Sequence, residues 1–264
     1  MADSPPLRVA TDDRGVATVT IDRPDVRNAF DDRLILALVD AAEQLGRDAA
    51  VRVVVLTGAG DVFSAGADVH WMRSMTGWTF EDNVADSTRM AGLFRTLYDL
   101  PKPLIGRING HALGGGTGLT AVCDIAVAVD QARFGFTEVL LGIAPAVISP
   151  YVVRKVGRSF ARSVFVTGER FDAQRALAAG LVHQVVAANE LDEAVEAAVA
   201  RCLRAGPQAV AAAKRLPDLA LRPLDEATAE TVKIIAGLRV GDEGQEGMRA
   251  FLDKRPPAWV PPSA

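Results

Sequence analysis

The chain has 264 residues, of which 49% are hydrophobic and 23% charged, and a formal net charge of −4. This is the make-up of a soluble globular protein long enough to bury a sizeable core. With no long basic run it argues against nucleic acid and anionic membranes as partners, and no apolar stretch reaches the ~18 residues of a membrane span.

The opening Met-Ala-Asp-Ser-Pro-Pro has neither the basic nor the apolar region of a secretory leader, so a cytoplasmic protein is expected. Residues 16–22 alternate and are rich in Val and Thr, which predicts a strand ended by Pro24. Residues 30–45 carry apolar side chains at helical spacing, with Asn28 or Asp31 as the cap. Residues 51–57 are a β-branched run, as in a buried strand, and Gly58-Ala59-Gly60-Asp61 turns the chain. Residues 70–87 are mixed and contain Gly77; they predict a mobile or partly helical surface segment. Two further buried strands are predicted at 104–108 and 125–129. Helical stretches follow at 189–204, 207–220, 225–238 and 242–253, broken by Gly206-Pro207, Arg222-Pro223 and Gly241. The end, from Pro256-Pro257 to Pro261-Pro262, predicts an extended, poorly ordered tail. The pattern divides into an α/β body, residues 1–188, and a helical C-terminal region, residues 189–264. Cys123 and Cys202 lie in apolar helical patterns and read as buried free thiols. His70, His111 and His183 lack metal-ligand spacing, so no metal site is expected.

Two small-residue loops bear chemistry. In the segment from Asn109 to Leu119, Gly114-Gly115-Gly116 stands between an apolar run and a helix-like run. This predicts a strand, a glycine turn and a helix start, where bare N–H groups gather partial positive charge. The second loop, Phe63-Ser64-Ala65-Gly66-Ala67-Asp68, follows the strand at 51–57. Each loop alone also reads as a tight turn or a close helix–strand contact. Together they offer N–H groups that converge on one negative oxygen, an oxyanion hole. Gly114, Gly116 and Gly118 do not fit G-x-G-x-x-G, and Gly58-Ala59-Gly60 lacks the P-loop lysine, so nucleotide fingerprints are set aside.

These loops belong to a longer series: Ile21-Asp22-Arg23-Pro24 to Asn28-Ala29-Phe30, Val53 to Gly58, Ile108-Asn109-Gly110 to Gly116, Cys123-Asp124-Ile125, Arg133-Phe134-Gly135-Phe136-Thr137-Glu138, Ala176 to Val182 and Phe251-Leu252-Asp253-Lys254-Arg255. In this series, over nearly its whole length, the chain resembles the crotonase superfamily, the enoyl-CoA hydratases and isomerases. The resemblance implies an α/β fold, a spiral of ββα units with an α-helical C-terminal trimerisation region, assembled as a homotrimer or a dimer of trimers. It implies an acyl-CoA substrate that brings CoA with it, and no other cofactor. By motif position the oxyanion hole falls to the N–H groups of Ala67 and Gly115. CoA contacts fall to Arg27 and Ala29, to Ala65, Asp68 and Val69 near the adenine, and to Lys254, which reaches CoA in a neighbouring subunit. For Arg27 and Lys254 the alternative is a solvated surface charge.

Hydratases of this superfamily use two glutamates. The second position is Glu138 here, but the first, two residues after Gly116, is Gly118. Glu138 lies between Phe134-Gly135-Phe136 and Val139-Leu140-Leu141. Apolar surroundings predict a raised pKa suited to acid–base work; the alternative is an acidic residue favoured at a helix start. The resemblance therefore leaves open hydration of a 2-enoyl-CoA with a water in the space left by Gly118, isomerisation by one carboxylate, and acyl-CoA binding without turnover. Decarboxylation and thioester hydrolysis carry less weight. Residues 63–73 and 142–153 further resemble the methylglutaconyl-CoA hydratase branch of bacterial leucine catabolism, whose members also carry Gly-Gly-Gly-x-Gly-Leu. Such substrates carry a distal carboxylate, for which Arg73 or Arg154 is the candidate partner. His70 and Trp71 read as lid or packing residues, and His111 as packing.

Overall fold

Strands β1 (Leu7–Thr11), β2 (Val16–Ile21), β3 (Val53–Gly58), β5 (Leu104–Ile108), β7 (Ile125–Val129) and β10 (Gln184–Val186) form one sheet in that order. The structure, a computed structural model, describes residues 5–261. Only β1 runs antiparallel in this sheet. The shorter β4 (Val62–Ser64), β6 (His111–Leu113), β8 (Arg133–Gly135) and β9 (Arg170–Asp172) form a second sheet, parallel except at β9.

The chain steps repeatedly from the first sheet to the second and then into helix. After β3 and β4 come α2 (Val69–Ser74) and α3 (Phe80–Tyr98). After β5 and β6 comes α4 (Gly115–Val122); after β7 and β8 come a 3-10 turn (Thr137–Leu141) and α5 (Ser149–Thr167). This is the ββα spiral that the resemblance implies. The loops after β4, β6 and β8 lie beyond the C-terminal ends of the parallel strands, where open α/β sheets place their ligands.

Hydrophobic burial drives this arrangement. Every residue of β3 is buried, in keeping with its β-branched run. Helix α1 (Asp32–Arg47) buries Leu34, Ile35, Leu38, Ala42 and Leu45 along one face. Its cap is Asp31, whose carboxylate accepts from Leu34 N–H. Asn28 does not cap. It sits at φ 55° with its side chain buried, and its amide donates to the carbonyls of Ala59 and Val62 at 2.8 and 2.7 Å. Asn28 thus ties the chain before α1 to the turn joining β3 to β4.

Some expectations need correction. The stretch at 70–87 is mostly helical: Asp68 caps α2, and Thr79 and Asp82 form a reciprocal capping box at the start of α3. Trp71 is buried, in keeping with its reading as a packing residue, although the sequence around it predicts a surface segment. The tail up to Pro261 is tied down, because Arg52 donates to the Trp259 carbonyl and the Trp259 indole donates to the Arg204 carbonyl; Pro262 lies outside the described residues. His111 is exposed, accepting from Arg133 N–H, rather than packed. Cys123 is buried with its thiol pushed up to about 12 by burial, while Cys202 is half-buried.

After α6 (Ala173–Ala178) and β10, α7 (Leu191–Leu203) lays Leu191, Val195, Ala198, Val199 and Leu203 on the first sheet. Helices α8 (Pro207–Leu219), α9 (Leu224–Val240) and α10 (Asp242–Leu252) follow, and among the described residues no helix is long and apolar enough to cross a membrane.

Candidate active site

The site forms where the loop after β4 meets the glycine turn before α4. Phe30 N–H donates to the Gly66 carbonyl and Asp68 N–H donates to the Phe30 carbonyl, at 2.7 and 2.8 Å. This parallel bridge uses the residues on either side of Ala67. The Ala67 N–H therefore points to the opposite edge, away from Phe30. Gly115 is the first residue of α4, so its N–H has no intrahelical acceptor. Neither amide has a protein acceptor among the described residues.

The two loops touch. A β-carbon built on Gly66 would stand 3.8 Å from Gly114 Cα and 3.0 Å from the Leu113 carbonyl oxygen. Gly114 itself has φ 51° and ψ −119°, a conformation that belongs to glycine and that turns β6 into α4. The next two glycines are required by close approach. A β-carbon at Gly115 would meet the Phe30 ring at 3.0 Å, and one at Gly116 the Ser64 carbonyl oxygen at 2.5 Å. The positive end of the α4 dipole is thus carried to the Ala67 loop.

Glu138 completes the group. A β-carbon on Gly114 would lie 3.4 Å from Glu138 Oε1, so the carboxyl stands beside the turn that presents Gly115. Phe136, two residues earlier, is fully buried and meets Phe165 edge to face at 4.9 Å, anchoring the 3-10 turn. Glu138 Oε2 is a buried side-chain oxygen with no hydrogen-bond partner, the one such atom among the described residues. Buried polar atoms without partners are rare and mark functional places. Burial pushes the Glu138 pKa above its ordinary 4.5, against a lowering from its own backbone N–H, and no charged side chain contributes.

Thr117 braces the strand that leads to this carboxyl. Its buried hydroxyl accepts from Gly135 N–H at 3.2 Å and donates to the Ala112 carbonyl at 2.7 Å, binding β8 to β6 three residues before Glu138. Thr117→Val keeps the shape and removes the hydroxyl that braces the β6–β8 ladder at Ala112 and Gly135, which costs about 0.5–1.5 kcal/mol. We expect a lower melting temperature and a kcat loss larger than any change in KM. An unchanged kcat in a folded variant would remove Thr117 from the positioning of Glu138.

One expectation fails at Gly118. No space for a water stands there. A β-carbon at Gly118 would lie 2.6 Å from Ile148 Cγ2, 3.1 Å from Ile148 Cβ and 3.0 Å from the Phe94 ring. Both side chains are buried.

The residues expected to hold CoA are distributed unevenly. Arg27 is exposed at φ 55°, and its carbonyl accepts from Ala65 N–H, so Arg27 and Ala65 are neighbours. Ala29 is buried, with its carbonyl accepting from the Arg23 guanidinium. Val69 is exposed. The buried Asp68 carboxylate is already occupied: it accepts from His70 N–H at 2.7 Å and pairs with Arg23 at 3.0 Å, and its backbone N–H and carbonyl are engaged with Phe30 and Met72. Arg23 also pairs with Asp31 at 2.8 Å, and this bracing was not anticipated in the sequence. Lys254 stands apart. The tail that follows it docks at Arg52, before the N-terminal end of β3, whereas Ala67 follows the C-terminal end. Within one chain Lys254 does not join the site. Arg154 pairs with Asp218 at 3.3 Å, while Arg73 is exposed and without a side-chain partner among the described residues.

A two-sheet spiral with two open amides beside one half-buried acid is the build of a crotonase-type enzyme. A family model described as enoyl-CoA hydratase/isomerase matches residues 11–261. The chain is similar to 2,3-dehydroadipyl-CoA hydratase of Escherichia coli K12, 36% identical over 250 residues, covering 92% of this chain and 94% of that protein. Among solved structures it is similar to an enoyl-CoA hydratase of Shewanella pealeana, 39% identical with a TM-score of 0.91, covering 96% of each chain. It is also similar to an enoyl-CoA hydratase of Mycobacterium smegmatis, 35% identical with a TM-score of 0.92, covering 97% of this chain and 99% of that one. The chain belongs to the enoyl-CoA hydratase/isomerase family of the crotonase superfamily, and among the enzymes of that family it falls with the enoyl-CoA hydratases.

Proposed function

We propose that the protein hydrates a 2-enoyl-CoA to a 3-hydroxyacyl-CoA, with Ala67 and Gly115 N–H groups holding the thioester oxygen and Glu138 moving the proton. The observation that carries this reading is the unpartnered Oε2 of Glu138, whose carboxyl stands beside the turn that presents Gly115. The oxygen of a water molecule bonds to Cβ, and the π pair moves toward the thioester to form an enolate held by the two amides. Glu138 takes a proton from that water and returns it to Cα, so the acyl group gains one water and the carboxylate is restored. CoA lies along Arg27, Ala29, Ala65, Asp68 and Val69, with Lys254 supplied by a neighbouring copy.

The substrate class we favour carries a second carboxylate, as 3-methylglutaconyl-CoA does. Three things support it: the likeness of residues 63–73 and 142–153 to that branch, the free guanidinium of Arg73, and the adipyl group, a dicarboxylic chain, in the name of the Escherichia coli relative. Arg154 is the weaker candidate because Asp218 holds it. A second reading, isomerisation of a 3-enoyl-CoA, is favoured by the filled position at Gly118, since one carboxylate suffices to carry a proton from Cα to Cγ.

The test is to incubate the protein with crotonyl-CoA, a 3-enoyl-CoA and 3-methylglutaconyl-CoA, and to follow products by mass and chromatography. Gain of one water, greatest with the last substrate and lost in Glu138→Gln, is expected. A moved double bond without added water would replace hydration by isomerisation, and binding with no product would leave a CoA-thioester binder.

The working assembly we propose is a homotrimer or a dimer of trimers. Leu224, Phe251 and Leu252 are 81, 83 and 76% exposed, an apolar surface of the kind that partners cover. Replacing Phe251 and Leu252 together by Asp should shift sedimentation to the monomer. An unchanged oligomer would exclude these side chains from the contact.

A further inference from the structure

Gly118 lies one helical turn beyond Gly114, and its N–H donates to the Gly114 carbonyl at 3.1 Å. Glu138 stands beside Gly114. A side chain at Gly118 would thus start one turn along α4 from the one carboxyl of the site. The space it would enter is occupied from two other elements. Phe94 reaches it from α3, and Ile148 from the residue that precedes α5. Ile148 is β-branched, and its Cβ as well as its Cγ2 crowds the position, so a rotamer change does not clear it. Both side chains belong to the main core, which holds them in place.

We propose that Ile148, backed by Phe94, is a specificity-determining residue that closes the place of a second proton-carrying side chain, so that the site works with Glu138 alone. This inference rests on the enoyl-CoA reading above and adds to it the element that sets the number of acids at one. The bulk at Ile148 and its absence at Gly118 form a matched pair. A 2-enoyl-CoA is accordingly hydrated through Glu138 alone, more slowly than with a second acid at position 118.

A double-mutant cycle tests the pair, and a gain of activity tests its meaning. In the native background Gly118→Ala should lower the melting temperature by about 5 °C, the usual scale of overpacking in a chain of this size. In an Ile148→Gly background the same change should cost nothing measurable. The paired variant Gly118→Glu with Ile148→Gly should hydrate crotonyl-CoA at least about tenfold faster than the native protein and than either single variant, within the range of general acid–base catalysis. Equal loss of melting temperature from Gly118→Ala in both backgrounds would overturn the pairing. A coupled cycle without a gain of hydration in the pair, or an equal gain from Gly118→Glu alone, would overturn the catalytic role. The failure of the enoyl-CoA reading itself would show elsewhere, as no turnover of any enoyl-CoA by the native protein. The melting cycle reads the wall independently of that.

Discussion

Glu138→Gln should lower kcat on the best enoyl-CoA by about 10²- to 10⁴-fold, the usual contribution of a positioned acid–base group, with a much smaller change in KM. Gln keeps the size of the side chain and the neighbours of Gly114, so binding of the thioester should persist. Stability should move the opposite way. Burial raises the Glu138 pKa in the folded state, so folding binds this proton more tightly than the unfolded chain does. That contribution is present in full below the ordinary value of 4.5 and is lost as pH rises through the folded pKa. Above its folded pKa the native protein therefore holds a poorly solvated carboxylate. The Gln variant should melt at a higher temperature there and lose the advantage below about pH 4. Calorimetry across pH, set beside steady-state kinetics, measures both. A variant that is inactive and less stable at every pH would make Glu138 a structural residue.

Gly114→Ala should be the next most harmful change. At φ 51° and ψ −119° an L side chain is strained, by about 1–3 kcal/mol. The added methyl would also stand 3.4 Å from Glu138 Oε1. Relief of that strain turns the Gly115 N–H away from the Ala67 loop. Loss of one oxyanion donor costs about 10²–10³ in kcat. We expect a loss of that size in a protein whose circular dichroism still shows the native mixture of sheet and helix. Full activity in Gly114→Ala would mean that Gly115 N–H does not hold the reacting oxygen.

Much of this arrangement is legible in the sequence, for local reasons. The long parallel strands announce themselves because burial on both faces demands unbroken apolar runs, and the C-terminal helices because Gly-Pro breaks separate periodic stretches. The two glycine-bearing loops stand out because close backbone approach leaves only small residues, as Gly116 against Ser64 illustrates. The second sheet is not legible. Its strands have three residues each, too few to alternate, and their pairing comes from Asn28 and Asn109 holding the turn after β3, with Asn109 accepting from Gly58 N–H at 3.2 Å. Helix α5 is hidden by Gly157, which interrupts it at φ 75°. The start of α3 could have been found from Thr79-x-x-Asp82, a capping signal masked by the mixed composition around it. The filling of the space at Gly118 could not be read, because Phe94 and Ile148 reach it from segments 24 and 30 residues away in sequence.

The central claim is that one half-buried carboxyl, and no other, carries the proton. The most direct measurement is the pH dependence of kcat/KM for the preferred enoyl-CoA between about pH 4 and 9, in the native protein and in Glu138→Gln. A single acid limb with its midpoint above 4.5 in the native protein, absent from the residual activity of the variant, is the predicted result. The same limb surviving in Glu138→Gln would contradict it, since some other group would then be moving the proton.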